Sequence, residues 1–338
     1  MAKVLVALSG GVDSSVSALL LKREGYEVSA VSFWFYDCHD GRLQEAFDRA
    51  KETAHLLGIG HRVLDLREAF RETVIKPFFE AYRSGITPNP CVQCNPHMKF
   101  ATLIKEADRL EIPYISTGHY ARVKNGQLFR AKDEKKDQSY VLYRLSKGQL
   151  LRLLLPLGDY LKGEIREIAK GHALPTQDTP ESQEICFMGG KGYYSSMEKT
   201  PEGLIIHKTS GKRLGTHRGF YHFTIGQRKR LGIAYHEPLY VVEIDPNTNT
   251  VYVGDKSLAM SSTLKVSRLN WLVEPSGEFE AHVKIRSTMR TSPARIRILN
   301  NDEVEVYFTE PQWAPAPGQS AVFYDNNRVI GGGIICSK

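Results

Sequence analysis

The chain of 338 residues has no apolar run approaching the roughly 18 residues that a helical membrane span requires, which argues against an integral helical membrane protein. Cysteine is scarce, with five residues in all, so a disulfide scaffold is excluded. There is no internal repeat and no low-complexity tract. The start, Met1-Ala2-Lys3 followed by Val4–Leu8, is too short for a secretory signal and runs directly into a polar, glycine-rich turn. A cytoplasmic protein with no membrane partner is therefore the expectation.

The composition is that of a soluble folded chain, 41% hydrophobic and 25% charged. Its length suffices for two or three domains with separate cores. The net charge of +7 suits a polyanionic partner, although charge alone says nothing about which one.

Residues up to about 195 alternate strand and helix signals. Strands are expected at Lys3–Leu8, Val28–Trp34, Arg62–Leu66 and Tyr114–Ser116. Helices are expected at Asp13–Glu24, Leu43–Leu57, Arg67–Tyr82 and Lys99–Leu110, with a polar, proline-rich loop over Ser84–Pro96. Short strands alternating with longer helices imply βαβ units and a parallel sheet. Beyond residue 210 the pattern becomes all-β, with alternating segments such as Leu239–Ile244, Ala281–Arg286, Ala294–Leu299 and Glu303–Phe308 separated by turn signals. The expected fold is α/β: a Rossmann-like domain with a parallel sheet, then a small central β-rich domain, then a C-terminal β-barrel. The expected boundaries are 1–198, 199–256 and 257–338.

The first strand runs into Ser9-Gly10-Gly11-Val12-Asp13-Ser14-Ser15, which opens a helix. Glycines let the backbone approach an anion, and the free N–H groups at the helix start hold phosphate oxygens. The hydroxyls of Ser14 and Ser15 add donors, and Asp13 can hold Mg²⁺ or the nucleotide. A merely connecting turn is the alternative; the order strand, Gly-Gly, acid, Ser-Ser, helix favours ATP. This loop is neither the G-x-x-x-x-G-K-[ST] nor the G-x-G-x-x-G pattern. It resembles the PP-loop of the ATP pyrophosphatase superfamily, whose members activate a carbonyl oxygen as an adenylate.

Further motifs follow in order: Thr87-Pro88-Asn89-Pro90-Cys91-Val92-Gln93-Cys94-Asn95, Thr117-Gly118-His119-Tyr120, Lys136-Asp137-Gln138-Ser139-Tyr140, Ile185-Cys186-Phe187, Thr224-Ile225-Gly226-Gln227-Arg228, Pro317-Gly318-Gln319-Ser320-Ala321 and Gly331-Gly332-Gly333-Ile334-Ile335. Together they run nearly from end to end and are similar to the motifs of the tRNA 2-thiouridylase family. The resemblance implies ATP-dependent replacement of the C2 oxygen of the wobble uridine by sulfur in tRNAs for Glu, Gln and Lys. It implies an ATP site lined by Ala7, Leu8, Ser9, Gly10, Gly11, Val12, Asp13, Ser14 and Phe33, with Gly118 close to the nucleotide. It places Asn89 and Pro90 beside the target base, and Lys136, Asp137, Gln138, Arg286 and Ser287 against the tRNA. The family usually has an aromatic after that arginine, so Ser287 removes a stacking contact.

The family loop commonly reads T-P-N-P-D-x-x-C, with the acid handling protons. Here Cys91 stands in its place, so that acid/base assignment does not transfer. Three readings compete for Cys91, Cys94 and Cys186. They bind three irons of a [4Fe–4S] cluster whose fourth iron stays open to hydrosulfide. Alternatively, Cys186 carries a persulfide that Cys94 or Cys91 resolves. In the third reading, Cys91, Cys94, His97 and Cys186 form a closed zinc site. The cluster is preferred, because a closed zinc site would occupy the sulfur-delivery loop. Cys38 and Cys336 read as ordinary thiols. The sulfur donor, inorganic sulfide or a desulfurase or sulfur-relay protein, is not encoded in these patterns. Runner-up functions are 2-thiocytidine formation, an amide-forming ligase using the same adenylation, and a non-catalytic tRNA-binding protein.

Overall fold

The computed structural model describes residues 1–37, 41–181, 185–188 and 201–336. Cys38 and the expected boundary at 198/199 lie outside them. The chain divides into two compact units, one of Met1–Ile75, Pro90–Gly190 and Asn326–Val329, the other of Lys76–Asn89, Lys191–Asp325 and Ile330–Lys338.

The first unit is built on β1 (Lys3–Ala7), β2 (Glu27–Trp34), β3 (Gly60–Asp65) and β4 (Tyr114–Ser116). A small hairpin, β5 (Arg122–Lys124) and β6 (Gln127–Phe129), precedes the short β7 (Leu153–Leu154). The order β3-β2-β1-β4-β7 is parallel throughout. Strand β1 is central, so Val4, Leu5 and Val6 are fully buried, as a strand covered on both faces requires. Strand order reverses between β1 and β4. The crevice outside the carboxyl ends at such a switch point is where open α/β sheets bind ligands.

Helix α1 (Val12–Arg23) starts at the end of β1 and is buried from Val12 through Leu21 apart from Asp13. Its buried hydroxyls are paired: Ser17 Oγ lies 3.1 Å from Ser116 Oγ, and Ser15 Oγ donates to the Gly11 carbonyl at 3.0 Å. Helix α2 (Arg42–Leu56) presents Ala50 and Ala54 to the same core as Val4, Val6 and Leu20.

One expectation is corrected here. Ser84–Pro96 is not loop throughout: Pro90–Cys94 is helical and passes into a π-type turn over Asn95–Phe100. Proline is preorganised for a first helical turn, where its missing N–H costs nothing. The density of prolines that reads as loop in the sequence here starts a helix.

The second unit has a four-stranded sheet and a barrel. The sheet is β8 (Gly203–His207), β9 (Arg213–His217), β10 (Tyr240–Asp245) and β11 (Thr250–Gly254), in the order β10-β11-β8-β9. The barrel comprises β12 (Met260–Trp271), β13 (Phe279–Lys284), β14 (Ser292–Ile298), β15 (Glu303–Trp313), β16 (Ser320–Asp325) and β17 (Arg328–Ile335). Strands β12-β15-β14-β13-β16-β17 form a continuous sheet, and β17 pairs back onto β12, so six strands close. Alternate residues Ala281 and Val283, Ala294 and Ile296, and Val304, Val306 and Phe308 fill the interior.

Candidate active site

The turn after β1 is held by its own hydroxyls. Ser14 Oγ accepts from the Ser9 amide at 3.1 Å, lies 3.1 Å from Ser9 Oγ, and donates to the Gly11 carbonyl at 3.1 Å. Two glycines are required by close approach. Gly10 has φ +73°, and a Cβ there would stand 2.1 Å from the Ala46 carbonyl oxygen of α2. Gly118, just after β4, faces the loop from the other side: a Cβ would stand 2.6 Å from the Ser14 amide nitrogen. Arg49 of α2 donates to the Gly10 carbonyl at 3.1 Å. The loops that follow β1 and β4 are thus locked together at the switch point. This is a rigid turn with backbone amides at a helix start, the geometry of a phosphate cradle.

Asp13 stands in the first turn of α1, and its Oδ1 receives two donors, the Tyr120 hydroxyl at 2.7 Å and Lys162 Nζ at 2.6 Å. Burial and the adjoining Asp13 carboxylate raise the Tyr120 phenol well above its ordinary pKa, so it stays a donor. Lys162 is largely buried and lies 3.5 Å from Glu181 Oε1, while Glu181 Oε2 receives Lys136 Nζ at 2.5 Å. The bond from Lys136, reinforced by the charge of Lys162, holds the Glu181 carboxyl below its usual range. Nearby, Thr117 Oγ1 lies 2.7 Å from Nδ1 of the buried His119, whose pKa is driven well down by burial and by Lys99.

The thiols form a second feature of the same unit. Cys91 and Cys94 lie one helical turn apart; Cys91 is exposed and Cys94 is buried against Phe70, Val74 and Met98. Asn95 anchors this segment by donating to the Val141 carbonyl at 2.9 Å. Phe187, next to Cys186, packs edge-on against Phe70 at 5.7 Å between ring centroids, which draws Cys186 toward the same apolar cluster. Burial raises the Cys94 thiol. Cys186 keeps surface open to solvent, yet the surrounding protein desolvates its thiol and pushes it up to about 12, with Cys94 and Cys91 adding to the rise.

As three soft thiolate donors in one unit, these cysteines suit iron–sulfur chemistry. Among the described residues, however, no three His, Cys, Asp or Glu side chains surround a common metal position, so the ligand set is not closed. His97 is exposed, and burial of its ring together with Arg144 lowers its pKa.

Comparison with known proteins decides the family. Family models match in sequence along the chain: "tRNA methyl transferase HUP domain" over residues 2–190, "tRNA methyl transferase PRC-barrel domain" over 194–255 and "Aminomethyltransferase beta-barrel domain" over 261–335. The tRNA-specific 2-thiouridylase MnmA of Syntrophotalea carbinolica is 45% identical over 345 residues, covering 98% of each chain. MnmA of Carboxydothermus hydrogenoformans is 45% identical over 356 residues, covering 98% of this chain and 97% of the relative. The chain belongs to the MnmA tRNA-specific 2-thiouridylase family. Among solved structures, the U34-tRNA thiolase NcsA from Methanococcus maripaludis with its [4Fe-4S] cluster matches at 17% identity and a TM-score of 0.39. That match covers 56% of this chain and 62% of NcsA.

Against the MnmA-type expectations, Ala7, Leu8, Ser9, Gly10, Gly11, Val12, Asp13, Ser14 and Gly118 converge at the end of β1. Phe33 lies at the end of the neighbouring β2, its ring 5.3 Å from that of Phe35. Asp137 accepts from the Ala131 amide and from Ser139, and Gln138 Oε1 accepts from the Tyr120 amide at 2.8 Å, so both brace the structure of their unit. In the second unit, Arg286 donates to the carbonyls of Ile225 at 3.0 Å and Ala314 at 2.6 Å, and Ser287 is exposed. The segment before Pro90 is clasped there too. The Thr87 amide donates to the Pro317 carbonyl at 2.9 Å, and Gln319 Nε2 donates to the Thr87 carbonyl at 3.0 Å.

Sequence reading assigned no role to Lys162, Glu181 or Tyr120. One signal was available: Lys162 is the first residue of the helix Lys162–Gly171, where a cation opposes the helix dipole. In the structure two carboxylates offset that charge, Asp13 at 2.6 Å and Glu181 at 3.5 Å, and nothing in the local sequence names either of them.

Proposed function

We propose that this protein thiolates C2 of the wobble uridine of tRNA in two stages, an adenylation at the loop after β1 and a sulfur transfer at Cys91, Cys94 and Cys186. The observation that carries this reading is an intact phosphate cradle in a chain matched over nearly its whole length by 2-thiouridylases. The family models describe methyl transfer, which needs no polyphosphate cradle, so the loop favours thiolation.

In the first stage the uridine O2 attacks the α-phosphate of ATP and pyrophosphate leaves. Loop amides and serine hydroxyls meet the developing phosphate charge, and Asp13 would hold the accompanying Mg²⁺. AMP is then a better leaving group than hydroxide when sulfur attacks C2. The base must leave the anticodon stack to reach this pocket, and Asn89 and Pro90 stand directly before Cys91 in the chain.

Cys91, Cys94 and Cys186 would hold a [4Fe–4S] cluster, which when bound supplies an open iron for sulfide. Three soft donors brought together in one unit support this reading, and a bound metal would have to displace the protons that burial holds on Cys94 and Cys186. A persulfide relay through Cys186 and Cys94 is the second reading, favoured by the Phe70–Phe187 contact, which joins the neighbour of Cys186 to the cluster that holds Cys94. Lys136 and Arg286 would meet tRNA phosphates, in tRNAs for Glu, Gln and Lys. The catalytic part would span 1–198, the central tRNA-binding part 199–256 and the barrel 257–338. No described helix is long and apolar enough to cross a membrane, and a cytoplasmic location is part of the same proposal.

The test is incubation with tRNA, Mg–ATP and sulfide under anaerobic conditions, followed by mass spectrometry of the nucleosides. 2-Thiouridine with stoichiometric AMP is expected, and Asp13→Ala should form neither while still binding tRNA. 2-Thiocytidine, or AMP formation undiminished in Asp13→Ala, would overturn the assignment.

A further inference from the structure

Asp13, Lys162, Glu181 and Lys136 form an unbroken chain of alternating charge in the first unit: 2.6 Å, 3.5 Å and 2.5 Å separate successive partners. One end is the phosphate loop. The other end, Lys136, is the residue that the reading above turns toward tRNA, and the inference rests on that reading. Glu181 sits between them and divides its two carboxylate oxygens between the two ammonium groups. It also lies five residues before Cys186 in the chain.

An RNA phosphate that captures Lys136 leaves Glu181 with Lys162 as its partner. Lys162 is then drawn from Asp13, and Asp13 turns to the incoming nucleotide and its cation. The reverse order gives the same end state: a nucleotide that claims Asp13 releases Lys162 to Glu181 and frees Lys136 for RNA. Each ligand removes one partner from the chain, and Glu181, which here serves the two ammonium groups with separate oxygens, then turns wholly to the one that remains. Two discrete arrangements biased by two sites are what energetic coupling requires, and such coupling is reciprocal.

We propose that Glu181 is a positioning residue that exchanges between Lys136 and Lys162 and thereby makes tRNA docking and ATP binding cooperative. Arg166 Nη2 lies 3.7 Å from Glu181 Oε1, a third cation beside the carboxylate.

The experiment measures binding alone, using Mg²⁺ with α,β-methylene-ATP, which cannot release pyrophosphate, and unmodified tRNA. In the wild-type protein, saturating tRNA should tighten nucleotide binding at least threefold, and saturating nucleotide should tighten tRNA binding by the same factor. In Glu181→Gln both ligands should still bind, with the coupling factor falling below 1.5. Lys136→Met, which cuts the chain at its other end, should lose coupling likewise and serves if Glu181→Gln does not fold. A purely structural role for Glu181 would change the two affinities and leave their ratio intact. Wild-type coupling preserved in either variant, or no coupling in the wild type although both ligands bind, overturns the inference alone. A wild type that fails to bind one of the ligands overturns the functional reading beneath it as well.

Discussion

Gly118 stands against the backbone of Ser14, so close that a methyl group on its Cα would lie 2.6 Å from the Ser14 amide nitrogen. The turn after β4 therefore serves as a wall for the turn after β1, and the wall has no room for a side chain. Gly118→Ala should push the phosphate loop outward. An overpacking cost of about 1–3 kcal/mol in urea unfolding is expected, with ATP affinity down by about tenfold or more in calorimetric titration. Unchanged ATP affinity in a variant showing that stability loss would separate the loop from nucleotide binding.

The protonation of Cys186 gives a pH signature in metal-free protein. Its thiol is pushed up to about 12, so the reactive thiolate is scarce at neutral pH and grows about tenfold per pH unit up to that value. Carbamidomethylation of Cys186 by iodoacetamide should be slow at pH 7.5 and still be rising steeply above pH 10. A rate that levels off near pH 8.5 would contradict the packing around this thiol.

Iron content separates the two sulfur-transfer readings. With a cluster, Cys91→Ala, Cys94→Ala and Cys186→Ala should each lose iron, visible absorbance and activity together, because each removes one of three thiolates. Chelator-treated wild type should lose activity and regain it on reconstitution with iron and sulfide. Full-rate thiolation by iron-free protein, with Cys91→Ala equally active, would leave the persulfide relay in its place.

Lys136 and Arg286 should behave differently although both are basic. Lys136→Ala removes a partly exposed ion pair and should cost at most about 1 kcal/mol, while the salt dependence of tRNA binding flattens by about one unit. Arg286→Ala removes two charge-assisted bonds to carbonyls within its unit and should destabilise by about 2 kcal/mol or more in thermal or urea unfolding. A full salt slope in both variants would remove both residues from the RNA interface.

The parallel sheet and the barrel were legible because their signals are local: the apolar run Val4–Ala7 of β1, the two-residue alternation of Ala281 and Val283, and glycines at turns. The phosphate loop was legible because its glycines and hydroxyls are contiguous. The helical state of Cys91 and Cys94 was not, since Pro88, Pro90 and Pro96 read as loop and only tertiary support, such as Asn95 to Val141, decides otherwise. The chain from Asp13 to Lys136 was illegible for a different reason. Lys162 lies 149 residues from Asp13, and nothing local pairs an ammonium with a carboxylate across that separation. Arg286 was placed against tRNA by the family resemblance, and nothing in its local sequence announces partners inside its own unit. Its hydrogen bonds to Ile225 and Ala314 depend on loops that no periodicity predicts.

The ring of Phe70 joins the two cysteine-bearing segments of the proposed sulfur site. It packs in the cluster that buries Cys94 and carries Phe187, the neighbour of Cys186. Cys94 is fixed in this apolar wall, while Cys91, one helical turn away, and Cys186, beside Phe187, keep surface open to solvent. On the proposed reading, a sulfur donor would meet Cys91 or Cys186 before Cys94, which is shielded by Val74 and Met98.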